Sequence, residues 1–311
     1  MTSFLPEGKR IDTAENLSAL SSYEHMHAAM ERGDILEARA VLCDHDHNLK
    51  VDLPCMRGVI PREEGALGIR EGSVRDIAVI SRVGRAVCFV IKEFIRRENG
   101  MTAVLSRADA QQQCARQYIS GLHVGDVIPA RITHLEPFGA FCDIGCGLVA
   151  LMPIDAISVS RIEHPDERFR VGMDVYAVVK SIVDNRVTLS HKELLGTWAE
   201  NAARFAVGET VTGVIRSLEN YGAFVELAPN LAGLAELRDN LCVGDTAAVY
   251  IKSIIPQKMK IKLIIIDNFG EPHVPVVPDY FITGGHIERF TYSPPESNRL
   301  IETEFRSVNG E

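Results

Sequence analysis

Between residues 123 and 266 apolar and polar positions alternate singly in short runs, the period of a half-buried strand, and the pattern comes twice. Phe138-Gly-Ala-Phe-Cys-Asp-Ile144 returns as Tyr221-Gly-Ala-Phe-Val-Glu-Leu227, an offset of 83 residues. Upstream, Val124-Gly-Asp-Val-Ile128 lines up with Val207-Gly-Glu-Thr-Val211; downstream, Gly147-Leu-Val-Ala-Leu151 lines up loosely with Asn230-Leu-Ala-Gly-Leu234. An offset this long, carried by strand-period alternation, predicts a duplicated small β domain.

Alternation also assigns the faces. Ala140, Cys142 and Ile144, like Ala223, Val225 and Leu227, form the apolar side and point to the core. Phe141 with Asp143, and Phe224 with Glu226, then point the other way. A ring set outward beside a carboxylate is the kind of group on which an unpaired base stacks. The competing reading is a ring half-covered by a neighbouring loop. Recurrence favours stacking, because each ring is preceded three residues earlier by another, Phe138 or Tyr221.

A third, faded copy comes first. Gly33-Asp-Ile-Leu36 stands for Gly125-Asp-Val-Ile128, and His47-Asn-Leu-Lys-Val-Asp-Leu53 for Phe138–Ile144. Leu49, Val51 and Leu53 keep the core alternation, while His47 and Lys50 occupy the places of the rings. Gly72–Val79, Ala86–Ile91 and Ala103–Arg107 read as its further strands. Helical signals lie between the copies: a helix from the capping Thr13 to Gly33, one over Ser106–Ser120 opened by Ser106 with Asp109, and a short one opened by the Thr197–Glu200 capping box. Trp198 on the last reads as a packing residue. Short strands with Gly-Asp openings predict a mainly β protein of three tandem five-stranded OB-fold barrels, the first degenerate, joined by short helices. The boundaries are a tail and helix over 1–32, the degenerate barrel over 33–107, a linker helix over 108–122, barrels over 123–193 and 206–267 joined by a linker helix over 194–205, and an extended acidic arm over 268–311. The arm, punctuated by Pro272, Pro275, Pro278, Pro294 and Pro295, is expected to lie over the last domain and to be partly disordered, as are residues 1–12.

The composition is ordinary globular material, 46% hydrophobic and 24% charged. No apolar run approaches membrane-spanning length, and no secretory signal opens the chain. Seven cysteines without regular spacing fit free thiols in a reducing cytoplasm. The net charge of −9 is uneven: residues 1–122 carry −1, residues 123–266 carry −3 and residues 267–311 carry −5. A nearly balanced middle predicts binding by stacking with a few local cations rather than by a broad basic surface. Cys43-Asp-His-Asp-His47 reads as a solvated turn rather than a metal site, and no cofactor is expected.

Val124-Gly-Asp126, Phe138-Gly-Ala-Phe141, Gly172 and Val187-Thr-Leu-Ser190 resemble the RNA-binding motif of the bacterial ribosomal protein S1 family, strongly over residues 123–266 and weakly over 33–107. Leu189–Trp198 and Tyr221–Glu236 resemble short, three-repeat forms of that protein. The resemblance implies single-stranded RNA held by two aromatics, a histidine and a late Asp/Arg pair in each barrel. Here the aromatics are Phe138 and Phe141, then Tyr221 and Phe224. The late pair is Asp184 and Arg186 in the second repeat, and Lys260 and Lys262 take its place in the third, which has no matching aspartate. Pro153 and Glu236 stand near the place of the histidine, a departure in both copies. Lys180, Arg216 and Lys252 are candidate phosphate contacts.

The reading is a non-catalytic protein of translation that binds single-stranded messenger RNA and associates with the small ribosomal subunit, the latter through residues 1–122. One rival is a protein-interaction scaffold with incidental RNA binding, favoured by the acidic charge and the faded first copy. An enzyme, or another regulator of RNA stability, is the second; no carboxylate cluster, nucleophile–base pair or phosphate loop is left once the repeats are assigned.

Overall fold

The structure, a computed structural model, describes residues 4–97, 100–184, 186–272 and 277–306. Contacts divide it into two units, Met1–Leu122 with Asp143–Val149, and His123–Cys142 with Ala150–Glu311.

In the first unit α1 (Ala14–Leu20) and α2 (Tyr23–Arg32) replace the single helix expected between Thr13 and Gly33. Thr13 caps the first as expected, accepting from the Asn16 amide. Ser22 then adopts an extended backbone and caps a second helix, accepting from the His25 amide. Serine competes with the helix for backbone partners, which is why the Ser21-Ser22 pair breaks it. Gly33 ends α2 in the left-handed region at φ 68°, a conformation glycine adopts without strain.

The barrel that follows is built from β1 (Leu36–Cys43), β2 (Leu49–Asp52) and β3 (Arg57–Ile60), then, after α3 (Ile77–Ile80), from β4 (Ala86–Arg97) and β5 (Gly100–Ser106). It closes in the order β1-β2-β3-β5-β4, with Leu49, Val51 and Leu53 buried as the alternation requires. The expected strand over Gly72–Val79 is a correction. The amides of Ser73 and Val74 both bond back to the Gly68 carbonyl, and Ile77 is 64% exposed, so the segment satisfies its backbone in local turns and α3. In the turn between β1 and β2, Asp44 accepts from the amides of Asp46 and Asn48. Among the described residues no cluster of His, Cys, Asp and Glu could hold a metal ion. α4 (Arg107–Gln117) is capped by Ser106, which accepts from the Asp109 amide.

Residues 4–12 correct the expectation of a disordered start; residues 1–3 lie outside the described ones. Glu7 is buried, accepts from Arg107 Nε at 2.6 Å, Arg107 Nη2 at 3.0 Å and the Cys88 amide at 3.1 Å, and its own amide donates to Asp143 Oδ2 at 2.7 Å. Burial opposes the Glu7 charge, but Arg107, Arg82 and the Cys88 amide together hold its carboxyl below the ordinary range. Asp143 next to it is pushed up to about 7 by burial and by the Glu7 charge. Glu37, which accepts from the amides of Gly8 and Arg10, is pushed up to about 7, chiefly by burial.

β6 (Val127–Glu136), β7 (Gly139–Asp143), β8 (Val149–Pro153), β9 (Asp174–Val183) and β10 (Arg186–Ser190) close a second barrel in the order β10-β8-β7-β6-β9. α5 (Trp198–Ala202) opens with the Thr197–Glu200 capping box, and Trp198 is buried. β11 (Thr210–Glu219), β12 (Gly222–Ala228), β13 (Leu231–Ala235), β14 (Asp245–Ile255) and β15 (Lys260–Pro272) close the third in the order β11-β12-β13-β15-β14. In all three barrels the last strand runs parallel to the third, with Gly58↔Ala103, Leu151↔Thr188 and Leu234↔Lys262 as partners. The faded first copy has therefore kept the topology of the other two. Ala140, Cys142, Ala223 and Val225 are fully buried, and each fully buried Val, Leu, Ile or Phe contributes about 1.5–3 kcal/mol.

Residues 277–306 pack against the third barrel; residues 273–276, Pro275 among them, and residues 307–311 lie outside the described residues. β16 (Arg289–Thr291) and β17 (Glu302–Glu304) pair antiparallel, and Phe290, Tyr292 and Phe305 join the core of the third barrel. The Tyr280 hydroxyl lies 3.0 Å from His191 Nε2 and accepts from the Tyr176 amide at 3.2 Å. Burial depresses the His191 imidazole to about 4, against the opposing pull of its hydrogen bond with the Ile157 carbonyl. Among the described residues no helix is long and apolar enough to cross a membrane.

Candidate nucleic-acid interface

Each ring pair is set by a two-residue turn, Pro137-Phe138 between β6 and β7 and Asn220-Tyr221 between β11 and β12. A glycine follows each turn because the neighbouring strand comes too close for anything larger. A Cβ at Gly139 would sit 2.4 Å from the Met152 carbonyl oxygen, and one at Gly222 2.5 Å from that of Ala235. The backbone can thus bring the turn residue over the strand, and the rings meet edge to face. Phe138 and Phe141 have centroids 5.9 Å apart at 90°, and Tyr221 and Phe224 6.1 Å apart at 88°. Phe138 is 56% and Tyr221 69% exposed, while Phe141 and Phe224 are half-buried. Edge-to-face contact fixes the ring planes and leaves ring faces open to solvent.

In the third barrel the rings open into a groove of about 1060 Å³ whose walls carry Lys252, Lys260 and Lys262, all exposed. Five expected site residues are therefore brought together there. The pairing explains how: β15 runs beside β13 with Lys262 opposite Leu234, and β12 lies on the other side of β13 with Phe224 opposite Leu234. The second barrel repeats the register. Arg186 pairs with Val183 as Lys260 pairs with Ile255, and Thr188 lies opposite Leu151 as Lys262 lies opposite Leu234. Arg186 thus takes the place of Lys260. Asp184, exposed at the β9–β10 turn with φ 49°, precedes it, and Lys180 is half-exposed on β9.

Three side chains expected to be open to solvent are buried. Asp143 is 2% exposed and accepts from the amides of Glu7, Gly145 and Gly147, so it is a buried cap of the strand end. Glu226 is buried under Arg168 and Arg216. Arg216, expected to contact phosphate, gives Nε and Nη2 to Glu226 at 3.1 Å each and Nη1 to Glu167. Its guanidinium is spent on carboxylates.

Sequence reasoning missed His134. Its ring lies 6.2 Å from that of Phe141 at 28°, and its Nε2 lies 2.7 Å from Glu136 Oε1. The signal was available. In the third barrel Glu219 pairs with Gly222 and Ser217 with Phe224 across the turn, and the 83-residue offset puts His134 in the place of Ser217. An imidazole therefore stands beside the second barrel's rings on β6, although Pro153 leaves none on β8.

Residues 122–192 match the family described as S1: S1 RNA binding domain. The small ribosomal subunit protein bS1 of Staphylococcus aureus (strain COL) is 28% identical over 271 residues, 85% of this chain and 66% of that protein. The protein of the same name from Staphylococcus epidermidis is 29% identical over 273 residues, with the same two shares. The chain resembles the bacterial ribosomal protein S1 family over most of its length. It spans 66% of the length of these curated relatives. Among solved structures, protein MJ1198 from Methanocaldococcus jannaschii is 33% identical over 19% of this chain and 89% of its own, with a TM-score of 0.18.

Proposed function

We propose that this chain binds single-stranded RNA, messenger RNA in translation, without catalysing a reaction on it, and that it associates with the small ribosomal subunit in the cytoplasm. The observation that carries this reading is the groove of the third barrel, where an edge-to-face ring pair faces three exposed lysines. Rings supply sequence-tolerant stacking, and lysines follow the phosphates. The same ring pair stands on the second barrel, with Lys180 and Arg186 on the corresponding strands and Asp184 at the turn between them. The domain match over residues 122–192 and the relatives named as small-subunit proteins support the setting.

The first barrel takes a different role. His47 and Lys50 stand where the rings would be and engage Asp76 and Asp44, so this copy offers polar side chains already held by carboxylates where the others offer stacking. Residues 1–122 are assigned to docking on the small subunit. Fluorescence anisotropy with a labelled single-stranded oligonucleotide tests the RNA reading, and absence of binding at micromolar protein would overturn it. Cosedimentation of the full chain with small subunits, with and without competing RNA, tests the docking; a chain that never pellets with the subunits contradicts it.

A further inference from the structure

The groove beside Phe224 does not end at the ring. A second one, about 860 Å³, lies in the same unit and shares Phe224, Ala232, Met259 and Lys260 with the first. Trp198 and Tyr292, both buried, line it. One wall is the tip of the C-terminal arm, Ser297–Arg299, and Arg161, from the segment between β8 and β9, also lines it.

The tip is built into place. The Asn298 amide donates to the Gln257 carbonyl at 3.1 Å, which ties the tip to the β14–β15 turn. The Trp198 amide donates to the Tyr292 carbonyl at 3.0 Å, and the Arg299 amide donates to Ser297 Oγ at 3.2 Å. Arg161, Lys258, Lys260 and Arg299 are exposed around this groove, with Glu163 and Glu219 as its acidic members. Arg216 also reaches it, but its charge is taken by Glu226 and Glu167. Residues 267–311 carry −5, and one of their three basic side chains is placed here. An excess of cations around this groove, one of them on an otherwise acidic arm, continuous with a ring-lined groove, matches the backbone of a single strand rather than an acidic or apolar protein surface.

We propose that the C-terminal arm completes a second RNA subsite. A strand stacked on Tyr221 and Phe224 continues past Phe224 into the groove of the arm, where Arg161 and Arg299 hold its phosphates. The proposal rests on the RNA-binding reading above.

The test compares the full chain with the Arg161→Gln, Arg299→Gln double variant on two oligouridylates. One has about four nucleotides, the lower end of a single OB site, and the other about twelve. Both side chains are exposed, and an unchanged melting temperature confirms that the variant is folded. The expected result is unchanged affinity for the short strand and roughly tenfold weaker binding of the long one. The log–log salt slope for the long strand becomes shallower by about 1.4, two phosphate contacts on single-stranded RNA. A long-strand affinity and slope equal to those of the unaltered chain overturn the arm subsite and leave the ring reading standing. Equal weakening on both strands places the two arginines at the first groove and also overturns it. If the unaltered chain binds neither strand, the RNA reading itself has failed and takes the subsite with it.

Discussion

Arg216 grips Glu226 through two parallel bonds, Nε to Oε2 and Nη2 to Oε1, each 3.1 Å. Arg168 reaches the same carboxylate, and Arg216 extends its remaining nitrogen to Glu167. Two guanidiniums and one buried carboxylate form a clamp between β11, β12 and the turn that carries Glu167 and Arg168. Glu226→Ala would leave two guanidiniums facing each other with Glu167, on Arg216, as the counter-charge that remains. The expected loss is about 3–5 kcal/mol, the scale for breaking a buried ion pair from one side. Thermal unfolding measures it. Arg216→Ala should likewise lower the melting temperature while the protein that remains folded binds RNA as before. A variant with normal stability and impaired RNA binding would restore Arg216 to the phosphate contacts.

The ring pairs make the opposite prediction. Phe141 and Phe224 are half-exposed, so Phe141→Ala with Phe224→Ala removes stacking surface with little loss of core. At roughly 1–3 kcal/mol per stacked base, two lost rings should weaken RNA binding by about 30-fold or more. Tyr221→Phe keeps the ring and should change little. Anisotropy titrations report both. Unchanged affinity in the double alanine variant, with circular dichroism unchanged, would remove these rings from the interface.

The 83-residue offset and the single-residue alternation made the barrels legible, because strand period and turn glycines are local signals. The same alternation placed Asp143 and Glu226 on the outer face correctly and still misjudged their burial. Parity says which side of its own strand a residue occupies, not what another segment lays over it. Glu7 reaches Asp143 from 136 residues away and Arg168 reaches Glu226 from 58, separations that no local pattern encodes. Gly72–Val79 failed for the converse reason, since an apolar segment that closes its hydrogen bonds within a few residues needs no strand partner. The arm was read from its prolines and charge as lying over the last domain, and Phe290, Tyr292 and Phe305 are the side chains that dock it on the third barrel.

Lysines rather than a basic surface should set the salt dependence. A short strand in the third barrel is expected to meet Lys252, Lys260 and Lys262, and three phosphate contacts on single-stranded RNA would give a log–log slope of about −2. Replacing all three by Gln should bring the slope close to zero while the rings retain part of the affinity. A slope several times steeper for a short strand would mean that charges outside this groove dominate, and the stacking account would fail.

Acid should move the two units in opposite directions. In the first, Glu37 has its folded value raised from the ordinary carboxylate range to about 7, so the folded state holds a proton that the unfolded chain releases. Its contribution is fully present below the unfolded value and is lost as pH rises through about 7; Asp143 acts in the same sense. Glu7, held low, withdraws support only at pH below the ordinary carboxylate range. In the second unit His191 is depressed from 6.5 to about 4, so the unfolded chain takes up a proton that the folded one refuses. That contribution is present above the unfolded value and is lost as pH falls from 6.5 toward 4. Between pH 7.5 and 5 the unit containing Glu37 should therefore gain stability and the unit containing His191 should lose it, each by on the order of 2 kcal/mol. Scanning calorimetry across that range follows the two transitions. Glu37→Gln should flatten the first and His191→Asn the second, which assigns them. Two transitions that shift together, or a pH response left intact by both substitutions, would show that other groups govern it.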